Sequence, residues 1–568
     1  MTDQNTRDTL TAFQISKRSF GEGDAKLRRL LTLLAKSRID DAESLIQFHE
    51  MLLFLRAYPP SADVLKLTDE ALMSIESRVS RLADAEADLS ALDDPEVSGV
   101  AGGSVTSNFS YAIVRWLVKR FPRQLSIDWD WFEEEDRFGA TMPRFLPLLD
   151  DDAMVEAHVP FRRWLDAARG RENELAWLIQ RFESLTVSDR SRAELYDALK
   201  LHVTWRFGER ASRTLMRRPV RRAFIHDQPL IQRREISLAA EISSPQIPLA
   251  KVSPAAGEKI LDLARETSAV RYRELHGFTY GEPRRVLKAD LGRGIEVFVI
   301  GVPPEKRLPL RAYHAALIFK NGVPVAYFEG LSICERMESG FNLYYTFRDG
   351  ETAWLYARIL RLMKQLLGIA VFSIDPYQLG HENEEGIESG AFWFYRKLGF
   401  RPVKAELLKL TESEERKLTE DSSYRTPART LRKLAAGHML FEVPSQRKPG
   451  RWDRFEARHI GLAVQRRMAR DFSGNPNLIR SHSLKFVRQA LGVKTGLPTA
   501  TELSIWENLS LVFAMIPRID KWSPAEKALA ARIIKAKAGA DEALYLRLMQ
   551  KHQALGDGLI RLGSKESS

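Results

Sequence analysis

The stretch RAYHAALIFKNGVPVAYFEGLSI, residues 311–333, places two runs of aromatic, β-branched and small apolar residues on either side of Asn321 and Gly322. Asn-Gly suits a two-residue hairpin turn because both positions adopt positive φ at low cost. The stretch therefore predicts two antiparallel strands joined by a tight turn. Glu329 interrupts the second run, which is otherwise apolar or small.

Further short β-type runs extend outward from this hairpin. VLKADL and IEVFVIGV precede it, and FNLYYTF and IAVFSID follow it. A Glu-Ser-Gly sequence before Phe341 predicts another turn. One helix is predicted between the last two runs, ending at Gly368, because these residues share a helical face: Leu355, Ile359, Leu362, Met363 and Leu366. The pattern indicates a meandering sheet interrupted by a helix.

In the sequence before and after this sheet, the apolar residues recur with a different period. Before about residue 235 and after about residue 453, apolar residues recur at spacings of three and four, which predicts helices that bury one face. Residues 92–110, rich in Ser, Gly, Asp and Pro, predict a loop or a subdomain joint. The fold class predicted is α+β, with a central mixed sheet, helices on both of its faces, and mostly helical regions before and after it.

A second helix is predicted from about residue 384 to 398, and it contains AFWFYRKLGF. Ala391, Phe394 with Tyr395, and the sequence Leu398-Gly399-Phe400 stand in the register of the late helix and turn of GNAT acetyltransferases, which this segment resembles. The resemblance implies that Tyr395 faces the sulfur of coenzyme A. A phenol at that place can return a proton to the departing thiolate. A plain core aromatic is the alternative.

The six residues RDGETA, 348–353, lie between FNLYYTF and the first helix, where GNAT proteins carry their pyrophosphate loop. Free N–H groups at a helix start bind phosphate without special side chains. Glu351 stands where the family has Gly, and Gly350 comes one position early. By resemblance, the candidate residues for contact with the cofactor are Tyr345, Phe347, Arg348, Gly350, Glu351, Thr352 and Ala353. The alternative is a helix turn that holds no ligand.

A general base must take a proton from the attacking amine, and Glu329 is the candidate. Glu296 is a poorer one. The cluster at residues 381–385, His-Glu-Asn-Glu-Glu, leads into the tyrosine helix and could face the acceptor. It has one His and no second ligand at helical spacing, so no metal site is predicted. Glu388 replaces the Asn that many GNAT proteins have there.

Charge and cysteine content restrict the partners and the compartment. The net charge is +11, and residues 425–494 hold sixteen Lys and Arg against four Asp and Glu. Such a segment attracts polyanions, or it is a solvated face. The single cysteine, Cys334, excludes an internal disulfide and a thiolate zinc site. With no signal sequence or membrane-spanning run, we expect a cytoplasmic protein without a transmembrane segment.

These observations predict four regions: a helical domain at 1–235, a connection and first helix at 236–285, a GNAT-like acyltransferase domain at 286–445, and a basic, mostly helical region at 446–568. The resemblance implies an enzyme that moves an acetyl or other acyl group from coenzyme A to an unidentified amine acceptor. The alternative is a GNAT-shaped scaffold or nucleic-acid-associated protein without catalysis. Fold resemblance does not identify the acceptor.

Overall fold

The computed structural model describes residues 3–18, 20, 24–146, 160–208, 212–444, 448–493 and 499–564. The chain opens with five helices: α1 (Asp3–Ser16), α2 (Ala25–Lys36), α3 (Ala42–Ala57), α4 (Ala62–Leu72) and α5 (Ile75–Asp84). Their apolar faces share one core with the central sheet and the C-terminal helices. Helix α3 is apolar on nearly every side and is buried along most of its length.

A second unit follows, with a hydrophobic core of its own. Its elements are β1 (Ser104–Ser107), α6 (Tyr111–Arg120), β2 (Leu125–Ile127), α7 (Glu135–Thr141), α8 (Phe161–Arg169), α9 (Glu174–Ser184), α10 (Asp189–Asp197) and β3 (Val203–Arg206). The strands pair in the order β1-β3-β2. Helix periodicity does not reveal strands of three or four residues, so the expectation of a helical domain at 1–235 did not include this small sheet.

The central sheet has nine strands in the order β11-β12-β10-β9-β8-β7-β6-β5-β4. Its strands are β4 (Leu249–Lys251), β5 (Val286–Gly292), β6 (Ile295–Ile300), β7 (Ala312–Lys320), β8 (Val323–Ile333), β9 (Arg336–Leu343), β10 (Val371–Ile374), β11 (Arg401–Pro402) and β12 (Met439–Glu442). All neighbours are antiparallel except β9 and β10, which are parallel. The sheet is therefore mixed, as the sequence predicted, and β4 extends it into the expected connection.

The hairpin between β7 and β8 turns at Asn321 and Gly322, with φ of 49° and 79°. This confirms the Asn-Gly prediction. The predicted Glu-Ser-Gly turn is wrong: Glu338, Ser339 and Gly340 lie inside β9, paired with β8. The chain reverses earlier, at Cys334, which has φ of 51°. Pairing with β8 along the whole of β9 outweighs the local turn preference of these residues.

Helices cover both faces of the sheet. One face packs on α12 (Pro254–Ala269) and α13 (His276–Thr279). The other packs on α14 (Thr352–Leu367), which ends at Gly368 in the left-handed conformation as predicted. Before the sheet, α11 (Leu238–Ser243) also contacts α14, where Glu241 pairs with Arg361 at 2.6 Å.

The predicted tyrosine helix is two short helices instead of one. They are α16 (Glu384–Glu388) and α17 (Ala391–Arg396), separated at Gly390, whose φ is 66°. The short α15 (Pro376–Leu379) precedes them, and α18 (Ala405–Glu420) and α19 (Ala428–Leu434) lie between β11 and β12. A glycine in the left-handed conformation ends the first helix and redirects the chain, so the aromatic residues begin a new one.

The C-terminal region is helical: α20 (Ala457–Phe472), α21 (Pro476–Ala490), α22 (Ala500–Phe513), α23 (Pro524–Lys537), α24 (Glu542–Lys551) and α25 (Gln553–Gly563). Ser523 and Glu526 form a capping box at the start of α23. Helix α24 packs on the central sheet, where Glu542 accepts the backbone N–H of Tyr313 at 3.1 Å. The sheet and the C-terminal helices are therefore one packed body.

Candidate functional site

Strands β9 and β10 separate inside the sheet. They pair only from Arg336 to Glu338, opposite Val371 to Ser373. Strand β9 then continues to Leu343, whereas β10 ends at Ile374 and the chain turns into α15. The last residues of β9 thus pair with β8 on one side only. A free backbone edge results in the middle of the sheet, and such an edge can pair with another extended chain.

A cavity of about 720 Å³ opens at this separation, and we call it the split cavity. Its walls come from the free end of β9, the start of α14, the α15–α16 connection and α17, with Arg18, Arg233 and Arg273 added from outside the sheet. Cavities of a few hundred to about a thousand Å³ are the usual size of small-molecule sites. Arg348, Gly350, Thr352, Ala353 and Tyr395, all expected at a cofactor site from the sequence, line this one cavity.

The first turn of α14 presents backbone donors. Thr352 donates its N–H to the Gly350 carbonyl at 2.9 Å, and Leu355 donates to Glu351 at 2.9 Å. Between them, the N–H groups of Ala353 and Trp354 have no acceptor in the described ranges. Unpaired amides at the positive end of a helix dipole attract anions.

Position 350 requires glycine because of its close contact with the N-terminal helices. A Cβ at this position would lie 2.5 Å from the hydroxyl oxygen of Tyr58, the residue that ends α3. Only glycine leaves room for that approach. The turn that enters α14 is therefore shaped by a helix about three hundred residues earlier in the chain.

The Glu351 carboxylate faces the protein interior and does not line the split cavity. It is 1% exposed, forms an ion pair with Arg293, and lies 3.7 Å from the Lys320 ammonium. It also accepts the backbone N–H of Ile231 at 3.2 Å. Burial lowers the pKa of Lys320, and Glu351 opposes that shift. The repulsion expected between this carboxylate and a bound pyrophosphate is thus avoided.

Besides Glu351, two more of the predicted cofactor residues lie elsewhere. Tyr345 is 53% exposed and Phe347 is 1% exposed, and neither lines the split cavity. Both belong to a 3₁₀ turn, Tyr345–Phe347, that follows β9. The sequence run FNLYYTF suggested a strand through Phe347, but strand pairing ends at Leu343.

Tyr395 lies on α17 and is 4% exposed, with its ring edge-on to Tyr356 at 5.7 Å between centroids. Burial raises its pKa, so the phenol is protonated at neutral pH. Its hydroxyl makes no hydrogen bond within the described part of the chain, and the residue lines the split cavity. In contrast, the Tyr356 hydroxyl lies 2.8 Å from the Ser339 hydroxyl.

Glu329 lies on β8 and accepts a hydrogen bond from the Tyr313 hydroxyl, away from the lining of the split cavity. Burial raises the pKa of Tyr313, and the neighbouring Glu329 adds to the effect. Glu296, the weaker alternative, forms ion pairs with Arg218 and Lys288. The structure therefore places neither carboxylate at the separation of β9 and β10.

A second cavity, of about 1120 Å³, lies between the sheet and helices α20 to α22, and we call it the C-terminal cavity. Tyr377 lines both cavities, so they adjoin at this residue. Glu338 and Asp375 line the C-terminal cavity, one at the last paired position of β9 and the other directly after β10. This cavity could not be predicted from the sequence, because its walls are far apart along the chain.

A histidine joins these carboxylates at the C-terminal cavity. Burial lowers the pKa of His438, so its imidazole is neutral at pH 7, and its buried Nδ1 has no hydrogen-bond partner in the structure as described. Arg336, 2% exposed, donates to the Ser373 hydroxyl at 2.8 Å beside it. A neutral imidazole and nearby carboxylates can accept protons.

In the acidic segment at residues 381–385, Asn383 has a structural role as a helix cap. Asn383 caps the helix, because its side-chain oxygen accepts the Gly386 N–H at 3.3 Å. Glu384 pairs with Arg432, Glu385 pairs with Arg348, and Glu388 is exposed to solvent. Within the described ranges, no group of three or more His, Cys, Asp or Glu side chains could hold a metal ion.

Part of the basic segment at 425–494 is neutralised within the protein. Arg432, Arg451 and Arg470 form ion pairs with carboxylates, whereas Arg466 and Lys485 are exposed without an ion pair to any described residue. Residues 445–447 and 494 of this segment lie outside the described ranges. Among the helices that the structure describes, none combines the length and apolarity needed to cross a membrane.

Comparison of the chain with protein-family models, with curated proteins and with solved structures gave no match. The geometry of the two cavities is therefore the basis for inferring a function.

Proposed function

We propose that the protein is an N-acyltransferase that uses an acyl-coenzyme A thioester and transfers its acyl group directly to an amine. One observation carries the proposal: the free amide of Ala353 at the start of α14 and the Tyr395 side chain line one cavity, at the point where β9 and β10 separate. An antiparallel meander followed by a parallel, diverging pair also agrees with the GNAT resemblance.

The cavity offers a fitting partner to each part of the cofactor. The N–H groups of Ala353 and Trp354 suit the pyrophosphate. The free edge of β9 suits the amide groups of an extended pantetheine arm, which can pair with it like an added strand. Tyr395 lines the same cavity, where the thioester would reach. When the amine attacks, its nitrogen bonds to the acyl carbon and the carbon–sulfur bond breaks; the phenol gives its proton to the thiolate, and the phenolate regains a proton from solvent.

The amine acceptor would enter through the C-terminal cavity. That cavity adjoins the split cavity at Tyr377, so an amine held there can meet the thioester from the other direction. Glu338 lies at the vertex where β9 and β10 part, 3.8 Å from Arg311 and 4.0 Å from Arg336. We infer that Glu338, instead of Glu329, takes the proton from the attacking amine, with His438 and Asp375 near it.

Calorimetric titration of the full chain with coenzyme A and with acetyl-coenzyme A tests the first step. We expect saturable binding of one molecule per chain and a rise in melting temperature, because a ligand that binds only the folded state stabilises it. A crystal soaked with acetyl-coenzyme A should show the cofactor between β9 and β10. Absence of binding, or density elsewhere on the surface, would exclude the acyltransferase proposal.

A further inference from the structure

The split cavity contains four arginines that differ in their partners. Arg18 pairs with Asp349, Arg273 with Glu96, and Arg348 with Glu385. The fourth, Arg233, forms no ion pair and no side-chain hydrogen bond to any residue that the structure describes. An arginine kept at a cavity wall without a counter-charge is available to an anionic ligand.

The backbone around Arg233 is held firmly against the start of α14. Ile231 donates its N–H to the buried Glu351 carboxylate, which comes directly before the helix. Gln232 and Glu235 form a capping box around the 3₁₀ turn Arg233–Glu235. The guanidinium is therefore attached to the same framework as the free amides of α14, and it lies on the same cavity.

Two more cations lie on and beside α17, a helix that lines the same cavity. Trp393 on α17 donates its indole N–H to the Thr426 hydroxyl at 3.2 Å, so the segment at Arg425 packs on that helix. Lys397 stands one helical turn after Trp393, and both Lys397 and Arg425 are exposed.

Neither cation has a carboxylate within ion-pair distance in the part of the chain described. Asp421 acts on Arg425 at longer range. Burial, with the charges of Arg233 and Arg425 added, lowers the pKa of Lys397. Like charges held together destabilise a free protein, and an anion between them removes that cost.

We propose that Arg233, supported by Lys397 and Arg425, binds the 3′-phosphate of the adenosine end of coenzyme A. This rests on the proposed function and adds a ligand specificity to it. The cavity then has two anion sites: helix amides for the pyrophosphate and a cation cluster for the phosphate monoester. The cluster selects coenzyme A over thioester carriers that lack this phosphate.

Calorimetry of the full chain with coenzyme A and with 3′-dephospho-coenzyme A tests the inference. We expect the wild-type protein to bind coenzyme A roughly ten- to a hundredfold more tightly, the range for a charge-assisted hydrogen-bonded pair. Arg233→Ala should lose that preference and keep the affinity for the dephospho form. Arg234→Ala, on the same turn and outside the cavity lining, should retain the wild-type preference.

The outcomes separate the two proposals. Equal wild-type affinity for the two forms would overturn the inference and leave the acyltransferase proposal intact. Equal weakening of both forms by Arg233→Ala would also overturn it, since the residue would then act on a shared part of the ligand. If neither form binds, both proposals are overturned.

Discussion

Replacing Tyr395 by phenylalanine should abolish most turnover without weakening the fold. The hydroxyl has no hydrogen-bond partner among the described residues, so its removal leaves no buried group unpaired. We expect a change in the free energy of unfolding within about 0.5 kcal/mol, as for substitutions that break no contact. Loss of a general acid lowers the rate by roughly 10²- to 10⁴-fold, so kcat should fall by at least about a hundredfold.

Tyr356→Phe is the matched control. Its hydroxyl is buried beside Ser339 at 2.8 Å, and its ring lies 5.7 Å from that of Tyr395. Deleting this hydroxyl leaves the Ser339 oxygen without its partner, which costs about 1–3 kcal/mol of stability. Because Tyr356 does not line the split cavity, turnover by the folded fraction should stay within about threefold of the wild type.

Turnover is measured by following the thiol released from acetyl-coenzyme A with a chromogenic disulfide, in the presence of a panel of amines. The protein contributes little background, because its single cysteine, Cys334, is 1% exposed. Coenzyme A affinity, measured in parallel, should be the same for both variants. If Tyr395→Phe keeps kcat within threefold of the wild type, the phenol does not protonate the leaving thiolate.

Three further changes test other parts of the site and the fold. Gly350→Ala places a Cβ 2.5 Å from the Tyr58 hydroxyl, so coenzyme A affinity should fall about tenfold by calorimetry. The control is Gly461→Ala, whose Cβ would have nothing within 4 Å and should stabilise its helix by about 0.5–1 kcal/mol. Unchanged coenzyme A affinity in Gly350→Ala would mean that the turn binds no phosphate. Glu338→Gln should lower kcat at least tenfold with unchanged coenzyme A affinity, and full activity would exclude it as the base. Burial raises the pKa of Glu266 to about 8 from its usual 4.5, so its contribution to stability is complete below about pH 4.5 and is lost as the pH rises to about 8. Denaturant unfolding of Glu266→Gln across this window should show a flatter dependence on pH, and a wild-type slope in the variant would contradict the assignment.

The sequence predicted the elements that local chemistry determines. Asn321 and Gly322 identified their hairpin because few other pairs accept two positive φ values. Gly368 marked the end of α14 for a similar reason. The resemblance to GNAT proteins singled out Tyr395 and the turn at residues 348–353, and Tyr395 and most of that turn line the split cavity.

Features that depend on distant residues could not be predicted in the same way. Arg18, Arg233 and Arg273 reach the cavity from segments that carry no motif. The direction of the Glu351 side chain depends on Arg293 and Lys320, which come from the β5–β6 turn and from β7. Local composition suggested a turn at Gly340, but pairing with β8 across the sheet made it part of a strand.

The hydrogen bond between Glu542 and the Tyr313 backbone shows that the central sheet depends on residues outside it, which limits the fragments that can be produced. A fragment limited to residues 286–445 would lose that acceptor, the Tyr58 hydroxyl beside Gly350, and the Ile231 N–H that holds Glu351. The excised sheet would leave the Tyr313 N–H without its acceptor and would expose an apolar face, which favours aggregation. Production of this protein for binding and kinetic work therefore calls for the intact polypeptide, with any trimming confined to its two ends.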